Sequence, residues 1–309
     1  MRAVDDTQFH VCEHVDKFEG DVEQGELNQR SWVLQERALS RRTLHFTSDQ
    51  TYWECGQGIR CETFTKTANR RAAFLGDSNF PHSVESFKQG KQLQHYHDLY
   101  ERYSSLALTY ATDRPRAIAG LEKRLATALK SIGVYGVFQS NFHRDLLWQR
   151  RNTGTTLTRI NFVCGERIPS WSWMAIDGEI RYMNVDLGDL DRNRNISSSL
   201  QRSSSQAISY TTSHASAKAY FRAPVHTLMR DNPAGMILDE PNRVLPRPLM
   251  CVIIGSNKQH RGNPLRHYAL IVTPVEGSGE EKVVERVGVA YLSKADVSIG
   301  DDAEFVIVQ

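Results

Sequence analysis

The hydrophobic spacing changes period partway along the chain, and that change constrains the fold more than any single motif does. In residues 82–108, Leu93, Tyr96, Leu99, Tyr100, Tyr103, Leu106 and Ala107 recur at three- and four-residue steps. That is the spacing of one buried helical stripe. A further helix is predicted with Ile118, Leu121, Leu125 and Leu129 as its buried line, Asp113 as its cap and Pro115 in its first turn. Lys130 to Gly133 ends it, and residues 145–148 predict a short helix carrying Leu146, Leu147 and Trp148. Later the pattern becomes β-like over 217–225, 249–255, 267–274, 283–292 and 303–308, with turns at 257–264 and 276–281. Helices followed by strands predict an α+β fold, in which helices cover a mostly antiparallel sheet.

The first third is less regular. Residues 1–27 hold eight Asp or Glu against Arg2 and Lys17 and have little periodicity, which reads as a frayed terminus. Leu27, Trp32, Val33, Leu34, Ala38 and Leu39 then form a helix-like stripe with Asn28 as its N-cap. Residues 43–46 and 51–55 flank Ser48-Asp49-Gln50 and read as a hairpin. Residues 65–90 read as loop, and 184–216, rich in Ser, Asn, Asp and Arg, as a flexible insertion. The expected division is therefore 1–64, a helical region over 65–183, the Ser/Asn-rich loop over 184–216, and a β-rich region over 217–309.

With 38 basic and 36 acidic side chains the formal charge is +2, so no bulk field points to nucleic acid or an anionic membrane. Apolar runs such as 249–255 are too short to span a bilayer, and no charged-then-apolar leader opens the chain. A cytoplasmic location is the expectation. Cys12, Cys55, Cys61, Cys164 and Cys251 are scattered and odd in number, which suits reduced thiols. Cys55 and Cys61, even with His45 and Glu54 nearby, lack the close Cys pair of a zinc site. No cofactor motif is found, so neither metal nor cofactor is expected.

Two blocks stand out. Arg30 to Cys55 combines an Arg-x-Trp-x-Leu-Gln-Glu helix, a Leu-Ser-Arg-Arg-x-Leu-x-Phe step and a Tyr-Trp-Glu-Cys strand. It holds Trp32, Gln35, Glu36, Arg37, Leu39, Ser40, Arg42, Phe46, Trp53, Glu54 and Cys55. Far downstream come Pro169, Ser170, Trp171, Ser172 and Trp173, followed by Asp177-Gly178. Between them lie 108–121, with Asp113 and Pro115, and Asp145-Leu146-Leu147-Trp148. In this order the blocks resemble the fungal heterokaryon-incompatibility (HET) domain proteins, over most of the chain from Arg30 onward. In that family the domain opens with a Ser-Tyr-x-Trp-Gly block and a Trp-x-Asp-x-x-Cys-Ile-x-Gln block, which this sequence lacks. The resemblance thus implies the end of a TIR-like α/β domain plus its downstream region, truncated at the N-terminus. It also implies non-self recognition leading to cell death, exercised through protein partners. Two alternatives stay open: a nucleotide-cleaving enzyme acting on NAD through Glu36, and an inactive remnant.

Glu36 has a plain structural reading beside the catalytic one, because a Gln-Glu-Arg run on an exposed helix face pairs with a neighbouring Arg. Trp171 and Trp173 alternate with serines, so in a strand both rings would face one side, as core anchors or as a stacking platform. Asp177-Gly178 reads as a turn between strands at 171–176 and 179–183, with Asp177 as an acid-base residue the remoter reading. His95 and His97 are two apart on a helix and face different ways. Arg41-Arg42 and Arg150-Arg151 are too short for a nucleic-acid groove.

Overall fold

The computed structural model describes residues 17–55, 57–67, 80, 82–162, 168–186, 188–202, 219–246, 248–258, 264–275, 282–300 and 303–309. Residues 1–16, Cys164, and the expected loop and turn segments 203–216, 259–263 and 276–281 lie outside them. The fold is α+β, with a large mixed sheet in the C-terminal half.

Helix α1 (Ser31–Leu39) leads into a four-stranded antiparallel meander of β1 (Arg42–Phe46), β2 (Thr51–Cys55), β3 (Gly58–Cys61) and β4 (Lys66–Thr67). The expected hairpin forms, closed where the Thr47 hydroxyl donates to the Gln50 carbonyl at 2.7 Å. The expected single helix from Leu27 does not. Residues Glu26–Gln29 make a 3-10 turn, and Arg30 sits in extended backbone before α1 begins. A distant strand segment causes the break: Ala107 bridges Arg30 in parallel, its N–H donating to Gln29 and its carbonyl accepting from Ser31. Asn28 is consequently not a cap, and its side-chain oxygen accepts from Arg37 instead. The described part of the expected frayed terminus is also ordered. Phe18 and Val22, one turn apart, pack with Tyr52, Ile59 and Cys61 on the inner face of the meander.

Helices α2 (Gln89–Ser104) and α3 (Arg116–Ala128) follow the periodicity, burying Leu93, Tyr96, Leu99, Tyr100 and Tyr103 on one and Ile118, Leu121 and Leu125 on the other. Lys130 adopts the left-handed conformation (φ 49°) where α3 stops. Asp113 falls in a preceding 3-10 turn, and Pro115 occupies the N-cap position. Gly120 lets α3 approach α1 closely, since a Cβ there would lie 3.0 Å from the Gln35 side-chain oxygen. The short helix α4 (Phe142–Asp145) comes one turn earlier than expected. Trp148 instead opens a strand, Trp148–Arg150, paired with Ile180–Tyr182.

The large sheet comprises β5 (Leu190–Arg192), β6 (Ser197–Ser198), β7 (Phe221–Pro224), β8 (His226–Leu228), β9 (Met236–Leu238), β10 (Met250–Asn257), β11 (Arg266–Pro274), β12 (Val283–Ser293), β13 (Val297–Ser298) and β14 (Phe305–Val308). The order is β6-β7-β14-β12-β11-β10-β8-β13, with β5 on β10 and β9 on β12. Every pairing is antiparallel except β12 with β14. Both faces of its centre are buried, which explains the unbroken apolar runs of β10 and β11. Val252, Ile254, Leu270 and Val272 face Phe142, Leu146, Leu147 and Trp171, while Cys251, Ile253, Ala269 and Ile271 face Leu228, Leu238 and Leu245. Part of the stretch expected as loop, 184–216, is built into this sheet. β5 and β6 belong to it because Ile196 and Leu200 are buried and the Asn193 side chain donates to the Ile253 carbonyl at 2.8 Å. Among the described residues, no helix is long and apolar enough to cross a membrane.

Candidate functional site

The two motif blocks lie in different parts of the fold, and each is consumed largely by structure. In the first, Arg37 points inward from α1 and Glu54 inward from β2. Their contact is two-pronged, Nε to Oε2 at 2.7 Å and Nη2 to Oε1 at 3.0 Å. Arg37 Nη2 also donates to Glu23 Oε1 at 2.6 Å, and Arg102 from α2 pairs with the other Glu23 oxygen. His45 Nε2 lies 3.0 Å from Glu54 Oε2. Two buried carboxylates are thus matched by two guanidinium groups, which is what keeps buried charge affordable. Burial would raise the Glu54 carboxyl, but the hydrogen bonds from His45 and Arg37 outweigh it and pull the pKa down to about 2. Glu23 is lowered in the same way, burial again opposing the charges of Arg37 and Arg102.

Other letters of this block have equally local uses. Gln35 accepts from the Leu121 N–H at 3.1 Å, tying α1 to α3, and Trp32 and Leu39 pack at the edge of the helical core. The Ser40 hydroxyl donates to the Glu36 carbonyl at 2.7 Å. The Glu36 side chain itself stands in solvent, with no hydrogen-bond or ion-pair partner among the described residues.

The outer face of the meander is different. Strand alternation puts Arg42, Leu44 and Phe46 on the side opposite His45, and the register sets Leu44 against Trp53 and Trp53 against Arg60. Phe46 is 81% exposed, Leu44 51% and Trp53 40%. The Arg42 guanidinium lies 5.9 Å from the Trp53 ring. Arg42, Arg60 and Lys66 are exposed on this face, and no strand position on it carries a carboxylate. Cys55 shares the face, its thiol pulled below the usual range first by the Gln57 backbone and also by Arg42 and Arg60. Phe64 stands exposed at the β3–β4 turn. Alternation of Arg42, Leu44 and Phe46 was the available signal for this surface, since a one-sided strand would expose polar letters there.

In the second block the two tryptophans do not share a face. Residues 169–172 form a turn, with the Ser172 N–H donating to the Pro169 carbonyl at 3.0 Å, and Ser172 caps a 3-10 turn at Trp173–Ala175. Trp171 therefore enters the core under the sheet, and Trp173 enters the helical core against Tyr100 and Tyr103. The expectation of one strand with both rings on one side is overturned, because the turn rotates the chain between them. The serines stitch the same seam. Ser172 donates to the Tyr135 carbonyl at 2.7 Å, while the Ser170 oxygen accepts from the Arg286 N–H at 2.9 Å and bonds the Gln309 carbonyl. Trp148 completes the junction by donating to the Trp171 carbonyl at 2.8 Å, with the Arg286 guanidinium 3.2 Å from its ring centre. Arg286 is fully buried and paired with Asp239 at 3.1 Å.

Asp177 and Gly178 do mark a reversal, but not a hairpin. Ile176–Asp177 pairs with Thr158–Arg159, and Ile180–Tyr182 pairs with Trp148–Arg150, so the two strands part company. Gly178 (φ 121°) is required there, since a Cβ would fall 2.6 Å from Leu157. Asp177 accepts from Arg114 at 2.6 Å and remains largely exposed.

Sequence reasoning missed Glu23, Arg102, Asp239 and Arg286. For Glu23 the usable signal was the four-residue step between Phe18 and Val22; the other three carry none. His95 and His97 do diverge: His95 packs on Phe80 and Phe87, while His97 stacks on Tyr182 and meets Asp145 at 2.9 Å. Among the described residues, no group of three or more His, Cys, Asp or Glu could hold a metal ion. No known protein family, no curated protein and no solved structure matches the chain.

Proposed function

We propose that this chain is a fungal HET-domain-type protein of the cytoplasm, serving non-self recognition and cell-death signalling by binding another protein. The observation that carries the reading is the outer face of the β1–β4 meander. Leu44, Phe46 and Trp53 expose a contiguous apolar surface on a sheet whose inner face is fully occupied. Aromatic and arginine side chains together are the composition of interface anchors. Arg42, Arg60 and Lys66 around them select a partner surface that is apolar at its centre and acidic at its rim. Arg37 and Glu54 serve this surface from below, because their buried pairing holds the meander to α1 and fixes its orientation. In this reading the family letters of the first block build a rigid presenting platform, and Glu36 has no chemical task.

The test is over-expression in a filamentous fungal host. The intact chain arrests growth, and Phe46→Ser combined with Arg60→Glu restores it at equal protein accumulation. Normal growth with confirmed accumulation of the unaltered chain refutes the proposal.

A further inference from the structure

The four-stranded meander ends on one side at β1, so one edge of that strand has no neighbouring strand among the described residues. The turn after β1 closes with the Thr47 N–H donating to the Gln50 carbonyl at 3.1 Å. Bonded and non-bonded pairs alternate along an antiparallel ladder, so the bonded pairs that follow are His45 with Tyr52 and Thr43 with Glu54. Arg42, Leu44 and Phe46 therefore turn their backbone N–H and C=O groups toward the open edge. No hydrogen bond from another described residue reaches those groups. The same three side chains occupy the outer face, where Leu44 and Phe46 are exposed.

Edge strands are ordinarily blunted by a central charge, a proline, a bulge or a covering segment. β1 has an unbroken register with β2, contains no proline, and carries Leu44 at its middle position. Such an edge accepts another strand, and the side chains say which one. Taken in the opposite direction about Leu44, the outer set Arg-Leu-Phe becomes Phe-Leu-Arg. Antiparallel pairing with a second copy of β1 thus sets Leu44 against the partner's Leu44, and Arg42 against the partner's Phe46 at both ends. A guanidinium beside an aromatic ring is a favourable pair, and Arg42 already lies 5.9 Å from the Trp53 ring centre. Like charges are kept apart. The two Arg42 residues would sit about 14 Å from each other along the joined strands, beyond the screening length of about 8 Å at physiological salt. Leu44 also faces Trp53 across the hairpin, so the joint brings Trp53, Leu44 and their copies into one apolar row.

We propose that the chain forms a two-fold symmetric dimer by antiparallel pairing of β1 with β1 of a second copy, centred on Leu44, which joins the two meanders into one continuous sheet. The use of this row in signalling rests on the platform reading above, since a doubled outer face presents two sites side by side. The pairing itself does not rest on it.

Sedimentation velocity of the purified full chain tests the pairing, with no partner protein or fungal host present. One pair of short strands is a small interface, so a weak dimer is expected, monomeric at about 1 µM and largely paired at about 100 µM. Leu44→Lys sets two like charges face to face at the centre and should weaken self-association about tenfold or more. Leu44→Glu should do the same, and an equimolar mixture of the two variants should pair again, because Lys and Glu then meet across the axis. Phe46→Ser, at a largely exposed side chain, is a second check and should weaken the dimer several-fold by removing the ring opposite Arg42. Circular dichroism verifies that each variant is folded. The inference is overturned if the unaltered chain stays monomeric throughout that range, if the Lys and Glu variants each dimerise as it does, or if their mixture fails to pair. A monomer that still arrests growth refutes the pairing and leaves the function standing, and a dimer that does not arrest growth does the reverse.

Discussion

Replacing Glu54 by Gln asks how much of the fold rests on one buried carboxylate. The change is nearly isosteric and keeps one acceptor, but it removes the charge that faces Arg37 and His45. The Glu54 carboxyl falls from an ordinary 4.5 to about 2 in the folded protein. At about 1.36 kcal/mol per unit this is on the order of 3 kcal/mol of stability. Breaking a buried ion pair costs about 3–5 kcal/mol, and here Arg37 keeps Glu23 and Asn28 as partners, so the lower end applies. Because the folded pKa is depressed, the contribution is complete above the unfolded value of 4.5 and drains away as pH falls toward about 2. Urea unfolding followed by tryptophan fluorescence, at pH 7 and at steps down to pH 2, measures both quantities. Glu54→Gln should lose about 3 kcal/mol at pH 7 and flatten the decline between pH 5 and 2. Some decline should remain, because Glu23 is lowered as well. An unchanged midpoint at pH 7 with the full acid decline retained would refute the assignment of this cluster as the clamp between α1 and the meander.

Trp171→Ala and Trp173→Ala should each cost about 3–5 kcal/mol in chemical denaturation, since each ring fills a different core; unchanged stability in either would return that ring to a binding role. Gly178→Ala should lower the melting temperature, because the left-handed backbone alone costs about 1–2 kcal/mol and the new methyl meets Leu157. Glu36→Ala should leave stability within about 0.5 kcal/mol, as its side chain touches nothing described; a larger loss by calorimetry would show an unseen role.

The sequence by itself determined the elements whose letters report a one-sided environment. α2 and α3 were legible because Leu93, Tyr96, Tyr100 and Tyr103, or Ile118, Leu121 and Leu125, must share one face to be buried together. The hairpin of β1 and β2 was legible from the polar turn between two β-like runs, and β10 to β12 from unbroken apolar runs that suit strands buried on both faces, and with them the α+β class. What only the tertiary structure decided depends on residues far apart in the chain. Ala107 interrupts the helix expected from Leu27, Arg102 reaches Glu23 across 79 positions, and the Arg286 N–H finds Ser170 across 116. The same holds for polar Leu190–Arg192 and Ser197–Ser198, which became strands because β10 and β7 offered them open edges. Trp171 and Trp173 show the limit most clearly. Their spacing suggested a common face, yet a hydrogen-bonded turn between two cores sent them opposite ways, and local spacing carries no information about where a second core lies.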